Sequence, residues 1–574
     1  MSTPMPSARP FTLDTRQVGA LPLVNRILER LRFDALLECR LARPHPRAKV
    51  PAREALGVLV RNLVLVREPL YALGEWAHGR VPRLLGLAPE QVQALQDDRV
   101  GRALDRLFDA DRAALLTDLV VGMVREFDVA LDQLHNDSTT ITLHGEYAGA
   151  VGGRVRGKPT VRIERGYNKD HRPDLKQILW ILTISADGAV PVHFKVADGS
   201  TADTTTHVEI WETLRQLVGS AFFLYVADSK LCSEDTLRHI HREHGWFLTV
   251  VPRTRAEDGL FKDWLQDHMP EWEDVARRRH PGKRNGSEDV VRGCPSPIPD
   301  ANGFRLLWYH STWKEARDAR ARREAIQGAW KKLEALRERL ESPRSRFKKA
   351  AGVCEEADAI LEDRGADRWL SYEVTSFEEE RYRQEKRGRP GKNTRWRRKL
   401  KTRFELTWTL RQDNVDYDTR CDGIFPLVTN RSEDALSLAD AWTAYRTKQP
   451  LVEARHDLLK NVEAVTPMWL KSVSRIEALL FVEFVALLVH ALVEREVRRA
   501  MAARGMETLP LYPEERDCPA PTARRIFELF EPLQRNVLKT EDGRFVQRFD
   551  PDLDERQQLL LELLDVSPDE FKNL

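Results

Sequence analysis

From residue 129 to residue 253 the apolar residues leave helical spacing and gather into short runs rich in β-branched and aromatic side chains. Asp137-Ser138-Thr139-Thr140-Ile141-Thr142-Leu143 is the first such run, and Ile178–Ile184 the second, closed by the turn pair Asp187-Gly188. Val190–Val196 follows at hairpin distance and ends at Asp198-Gly199. Runs of this composition between Asp/Gly turns read as strands. A helix is then expected over Val208–Leu217 and a strand over Phe222–Ala227. A second helix, capped by Ser233 and ended by Gly245, leads to a last strand over Phe247–Val251. The uninterrupted apolar run at 222–227 suits a strand buried on both faces.

Three strands followed by helix, strand, helix, strand is the chain order of an RNase H-like core. Around it the pattern differs. Before residue 129, Leu21, Leu23, Val24, Ile27, Leu28 and Leu31 recur at helical spacing, as do Leu56, Val58, Leu59, Leu63 and Val64. Asp97-Asp98 marks a helix start, with acidic groups at the positive end of the helix dipole. Such a region serves equally as a packing or dimerisation module or as a DNA end-binding domain. Beyond residue 254 a charged helix carries the stripe Ile326, Ala329, Trp330, Leu333, Leu336 and Leu340, is stopped by Pro343, and is met by Phe347–Leu361 as a returning hairpin. Strands are expected at Phe404–Leu410 and Ile424–Thr429, then helices to the C-terminus. The expected architecture is an α/β RNase H-like catalytic core interrupted by a long insertion, with helical N-terminal and C-terminal regions. Its segments are 1–128, 129–254 (first half of the core), 255–412 (insertion with a charged arm and a basic loop), 413–500 (second half of the core) and 501–574.

Composition narrows the function. The 574 residues carry 91 Lys and Arg against 89 Asp and Glu, which excludes a uniformly basic nucleic-acid coat but not local basic patches. Hydrophobic residues make up 42%, enough to bury a core, so a wholly disordered chain is excluded. The six cysteines (Cys39, Cys232, Cys294, Cys354, Cys421, Cys518) lie far apart, against zinc fingers, iron–sulfur clusters or a disulfide scaffold, and fit a reducing compartment. Met1–Phe11 is polar and offers no apolar segment for export. Ala478–Val493 is interrupted by Glu483 and His490 and reads as a buried helix rather than a membrane span. A soluble cytoplasmic protein with no membrane partner is expected.

Three carboxylates stand out. Asp137 lies in the first strand, and Asp228 ends the most apolar one, where a carboxylate at the carboxyl tip of a parallel strand points into the crevice that ligands use. Asp228-Ser229 equally suits a helix-capping turn. At 100° per residue from Glu453, Asp457 falls at about 40°, Lys460 at about 340° and His456 at about 300°, one polar face, while Leu451, Val452, Leu458 and Leu459 can pack on a sheet. An ordinary amphipathic surface helix has the same pattern. Hydrolysis or transfer at a DNA phosphodiester needs an activated oxygen nucleophile and neutralisation of the leaving oxygen, which two Mg²⁺ ions on Asp and Glu oxygens supply.

Longer stretches resemble the DDE transposases of bacterial insertion sequences, in the branch marked by a Tyr–Arg–Glu–Lys signature. They are Asn136–Thr140, Gly166–Gln177, Val226–Ser229, Asp422–Asn430, Tyr445–Glu453 running on to Lys460, Arg475–Leu480 and Leu511–Glu514. The resemblance implies that Asp137, Asp228 and Glu453 are the catalytic, metal-binding triad for two Mg²⁺ ions, with Mn²⁺ as substitute and Asp457 as an alternative third ligand. It implies Tyr445 and Lys460 near the DNA end. The chain departs from the family at Gln449, where the signature Arg is expected, with Lys448 beside it, and at Ser200, where Asn is usual.

Lys169, His171, Arg172 and Lys176 offer donors suited to phosphate. Segment 381–403 carries twelve Lys and Arg against Glu385 alone, a local charge of +11 that favours DNA through counterion release. Within it Arg387-Gly388-Arg389-Pro390 resembles an AT-hook core, with Lys392 close behind; a basic loop without groove preference is the alternative. The expected partners are double-stranded DNA, as terminal inverted repeats and target, and a second protomer when DNA is bound, in a nucleoid-associated bacterial protein. The expected activity is cleavage at element ends with strand transfer. Its rivals are a nuclease on the same fold that only cuts, and a non-catalytic DNA-binding protein derived from a transposase.

Overall fold

The computed structural model describes residues 11–169, 172–279, 288–298, 300–460, 470–512 and 516–572. The chain is mixed α/β and divides into two compact units, one formed by residues 1–249 with 441–574 and the other by 250–440.

The first unit opens on strand β1 (Phe11–Gln17) and continues through helices α1–α7 (Leu21–Arg30, Phe33–Arg40, Ala52–Leu65, Leu73–His78, Pro89–Ala94, Asp97–Asp109 and Arg112–Phe127). The acidic start expected at Asp97-Asp98 is the first turn of α6. Asp111 caps α7, accepting from the Ala114 N–H at 3.1 Å. Strand β2 (Gln133–Leu143) follows, then a short hairpin of β3 (Val151–Val155) and β4 (Lys158–Arg162) that alternation alone did not suggest. Strands β5 (Lys176–Ser185) and β6 (Pro191–Ala197), helix α8 (His207–Val218), strand β7 (Leu224–Ala227), helix α9 (Glu234–Arg242) and strand β8 (Trp246–Val250) complete this half. Gly219, at a φ of 72°, ends α8, and the Ser233 hydroxyl caps α9. The apolar run shortens at its start: Phe222 is 64% exposed and outside β7, whereas β7 itself is buried throughout.

Within this unit the strands run in the order β6-β5-β2-β7-β8. The β6–β5 and β5–β2 pairs are antiparallel, and the β2–β7 and β7–β8 pairs are parallel.

The second unit holds α10 (Ala256–Asp267), β9 (Glu273–Arg278), β10 (Asp289–Pro295), β11 (Arg305–Ser311), α11 (Thr312–Glu341), α12 (Ala350–Arg364), β12 (Leu370–Gln384), β13 (Trp396–Leu410), α13 (Gln412–Cys421) and β14 (Ile424–Thr429). Strands β14, β11, β10 and β9 are antiparallel neighbours in that order, with Phe261 stacked 3.7 Å from Trp308 beneath them. The expected helical arm is α11 with α12 folded back on it. Its stripe of Ala329, Leu333, Leu336 and Leu340 shares one core with Val353, Ala357, Phe404 and Leu406. Strand β14, expected in the core's second half, belongs to this unit.

The chain returns to the first unit through α14 (Leu438–Trp442), a π-helical turn over Thr443–Lys448, and α15 (Pro450–Lys460). Helix α16 (Val473–Ala503) is the unit's buried spine. It is long and apolar enough to cross a membrane, yet its most apolar window, of mean hydropathy 2.3, is entirely buried within the protein. Phe484 and Phe481 on α16 meet Phe194 of β6, which stacks in turn on Trp180 of β5 at 4.8 Å. Helix α17 (Ala523–Phe530), strands β15 (Gln534–Thr540) and β16 (Phe545–Phe549) and helix α18 (Glu555–Leu564) close the chain. The expectation of helical N-terminal and C-terminal regions needs correction at their strands, since β1 pairs antiparallel with β15 from Phe11–Thr540 to Gln17–Gln534, and β15 pairs with β16. Neither β1 nor β15 carries the buried apolar run that marks the inner strands, since all their residues are exposed or half-buried.

Candidate functional site

The register of the first unit sets two carboxylates abreast. Strands β2 and β7 pair in parallel from Gln133–Leu224 to Asn136–Ala227. One residue beyond the last of these pairs stand Asp137, still in β2, and Asp228, the first residue after β7. Asp228 also forms the capping turn read as its ordinary role, its side chain accepting the Lys230 N–H at 3.0 Å. Its carbonyl accepts the Thr249 hydroxyl of β8 at 2.7 Å, which ties the tip of β7 to its neighbour.

Helix α15 packs on β2 and β5 and brings Glu453 to the same region. Pro450 opens it, as a residue without an N–H can. Its buried stripe is Val452, Arg455, His456 and Leu459, spaced i, i+3, i+4, i+7. The expected polar face therefore needs correction at His456, which points inward, its Nδ1 3.7 Å from Asp137 Oδ2. Arg455 is also interior, bound to Glu494 at 2.8 Å and to the Ala189 carbonyl at 3.1 Å. Glu453 and Asp457 both remain exposed.

The electrostatics tie the three carboxylates together. Burial, with the negative charges of Asp228 and Glu453 in support, pushes the Asp137 carboxyl up to about 7, against the opposing pull of the Lys169 ammonium and of the Ser138 N–H that it accepts. Tyr445, in the π-helical turn, is shifted upward by burial and then by Asp228, Asp137 and Glu453, so its hydroxyl keeps its proton. Asp457 acts on neither group among the causes that dominate. Among the described residues no three His, Cys, Asp or Glu side chains stand close enough to enclose an ion as they are. The donors that could hold one are carboxylate oxygens, the set that suits a hard divalent cation.

Lys169 reaches this centre from the loop after β4. Its ammonium donates to the Ser138 carbonyl at 2.6 Å and hydroxyl at 2.8 Å, and lies 3.9 Å from Asp137 Oδ1. The loop is held by close backbone packing: a Cβ on Gly166 would lie 2.1 Å from the Gly199 carbonyl oxygen, and one on Gly199 2.2 Å from that of Gln177. The Gln177 amide donates to the carbonyls of Tyr167 and Gly199, at 3.1 and 2.7 Å. Lys460 joins the group from the far end of α15, its charge acting on His456 together with that of Lys169.

Other expected contacts lie elsewhere. Arg172 is exposed and paired with Asp174 at 2.8 Å. Lys176 donates to the Glu146 carbonyl, and Lys448 to that of Ala186 at 3.5 Å. His171 lies outside the described residues.

The sequence pattern also gave no sign of a buried link. Gln449 donates to the Asn136 carbonyl at 3.0 Å and meets His135 Nδ1 at 2.9 Å, while Gln133 meets His135 Nε2 at 2.8 Å. Burial lowers the His135 imidazole to about 4, so the ring is neutral. A buried neutral His beside a catalytic-looking Asp leaves no periodic trace in sequence.

In the second unit the basic segment is mostly strand rather than loop, since β12 and β13 pair over their full length from Leu370–Leu410 to Gln384–Trp396. Side chains alternate between its faces. One face carries Arg381, Arg383, Arg397, Lys399 and Lys401; the other continues the arm's core into exposed Leu400, Tyr382 and Trp396. Part of the +11 charge is answered locally: Arg381 and Arg403 meet Glu379 at 3.1 and 3.0 Å, and Arg398 meets Glu380 at 2.5 Å. Arg387, Arg389 and Lys392 are exposed in the connecting turn.

Residues 13–121 match a family described as a domain of unknown function (DUF4277). No curated protein matches the chain. Among solved structures it is similar to a piggyBac transposase in a synaptic complex with hairpin DNA, at 9% identity and a TM-score of 0.34, over 89% of this chain and 78% of that one. A likeness of that size leaves the functional reading to the residues themselves.

Proposed function

We propose that this chain is a DNA transposase of the DDE type, cutting at the ends of an insertion sequence and joining them to target DNA. The observation that carries it is the pair Asp137 and Asp228, each one residue beyond the last parallel pair of β2 and β7, with α15, which bears Glu453, packed on β2. The strand order β6-β5-β2-β7-β8, with three antiparallel strands and then two parallel ones, supports an RNase H-like core around that pair. Unit 250–440 is then its insertion.

Asp137, Asp228 and Glu453 would hold two Mg²⁺ ions, or Mn²⁺ in their place. Carboxylates that repel one another in a half-buried site fit such an occupant, because each raises the cost of the others' charge until a cation offsets it. When bound, divalent ions neutralise charge that develops on the scissile phosphate. The remaining steps belong to the chain. Lys169 favours the ionised form of Asp137 and braces the β2 backbone through Ser138. Tyr445, keeping its proton, donates a hydrogen bond to a phosphate oxygen, and Lys460 supplies positive charge on the same side. The basic face of the β12–β13 ribbon and its turn hold DNA by its phosphates. Double-stranded DNA ends, a target duplex and a second protomer on the other end complete the proposed assembly, in the bacterial cytoplasm.

The test is to incubate the protein with the inverted repeats that flank its coding sequence, a target duplex and Mg²⁺, and to map the products. Joined products with ends at the repeat boundaries support the reading. Cut but unjoined ends favour a nuclease, and binding without cleavage favours a non-catalytic descendant.

A further inference from the structure

We infer that Gln449 and His135 are positioning residues that lock the start of α15 onto β2 and so set Glu453 against Asp137; the inference rests on the transposase reading above. Gln449 is the residue before Pro450, about one turn ahead of Glu453, and His135 and Asn136 directly precede Asp137. The Gln449 amide spans both: its nitrogen donates to the Asn136 carbonyl, which leaves its oxygen facing His135 Nδ1. That ring nitrogen then carries the hydrogen, and Nε2 accepts from the Gln133 amide. Gln449 and His135 are both buried, at 6% and 0% exposure, and one assignment of hydrogens is consistent with all three contacts.

The link sits where slack would otherwise enter. A π-helical turn over Thr443–Lys448, whose bonds run i→i+5 rather than i→i+4, ends just before α15, so the start of that helix gains from an anchor outside the α-helical bond pattern. Pro450 itself has no N–H to contribute. The Gln449 side chain supplies that anchor, and it takes the position of the signature Arg away from any role on DNA.

The variants are Gln449→Met, of similar length without hydrogen bonds, His135→Leu, and His135→Asn, whose amide can place a donor near the former Nδ1. The readouts are Mn²⁺ binding by calorimetry, DNA-end binding, single-turnover cleavage across a Mn²⁺ series, and thermal unfolding, with wild type and Glu453→Gln as references. Gln449→Met and His135→Leu should each weaken Mn²⁺ binding and raise the Mn²⁺ concentration for half-maximal cleavage by about 10-fold, with DNA-end affinity within about 3-fold of wild type. His135→Asn should recover most of the loss, and the double variant should be little worse than either single one, because both remove the same link. Normal Mn²⁺ dependence in Gln449→Met would overturn the inference, as would weakened DNA-end binding with unchanged Mn²⁺ dependence, which would return Gln449 to a DNA contact. A loss in His135→Asn equal to that in His135→Leu would also overturn it. Wild type that takes up no Mn²⁺ and cuts no DNA would instead fail the transposase reading itself.

Discussion

His456 Nδ1 lies 3.7 Å from Asp137 Oδ2, so the inward stripe of α15 meets β2 at the candidate site itself. Burial and the nearby Lys169 and Lys460 charges lower the imidazole to about 3, so it is neutral there. Because His456 turns inward, Glu453 and Asp457 are left as the two exposed acids on this helix, and only Glu453 is among the charges that shift Asp137 and Tyr445. Glu453→Gln should bind the DNA end with near-normal affinity yet cleave at least ~100-fold more slowly, a barrier increase of about 2.7 kcal/mol. Asp457→Asn should keep most of its activity. A binding titration and a single-turnover cleavage assay on each variant decide it, and a dead Asp457 variant beside an active Glu453 variant would reassign the third carboxylate.

Cleavage should follow the metal. Mg²⁺ or Mn²⁺ should support it, and Ca²⁺ should support DNA binding with little chemistry, since its longer and looser coordination poorly matches the geometry for in-line displacement. Cutting that persists in a chelator, mapped on the same duplex, would sink the mechanism.

Arg387→Ala with Arg389→Ala should weaken DNA binding and lower the salt slope of log K by about two, one for each phosphate that is no longer neutralised. Arg403→Ala is the contrasting case. That guanidinium is buried and donates to the Glu341 and Ser342 carbonyls at the end of α11, at 2.9 and 2.7 Å. Its removal should lower the melting temperature of the arm and leave the salt slope within error. Equal slopes for the Arg387/Arg389 variant and wild type would turn the ribbon's tip away from DNA.

Glu483 lies wholly inside α16, and burial pushes its carboxyl from 4.5 to about 7 despite the opposing charge of Arg67. Between those values the folded protein holds a proton that the unfolded chain has released, so stability falls as pH rises through that window. Glu483→Gln should therefore be more stable than wild type at pH 8, by up to about 3 kcal/mol, and close to neutral at pH 4. Denaturant melts at both pH values measure it, and a gain of equal size at both would show that the charge is not the cause.

Much of the first unit was legible because its strands bury both faces and its turns carry Asp-Gly. Asp187-Gly188 and Asp198-Gly199 bracket β6 as expected, and Ser233 caps α9. Legibility ended where tertiary contacts override local pattern. The 100° wheel put His456 with the polar residues, but at about 300° it borders the apolar arc, and contact with β2 draws it in. Strands β1 and β15 escaped because each is defined by a partner at the far end of the chain. The basic segment was recognised by charge, yet its strand character lies in the alternation Arg381, Arg383 against Tyr382, Gln384, which the density of Arg and Lys obscures. Gln449 was noticed as a departure, and only the fold shows where its amide goes.

The pairing of β1 with β15 also orders events on the ribosome. The Thr15 hydroxyl bonds to the Asn536 side chain across 521 positions. At roughly 5–20 residues per second, the first strand emerges about half a minute to two minutes before its partner exists. Helix α16, the spine against which α1, α3 and α6 pack, is likewise a late arrival. The faces of these early helices that meet α16 therefore stay uncovered until residues 473–503 have been made, and a release that stops short of residue 441 yields a fragment holding Asp137 and Asp228 without the helix that bears Glu453.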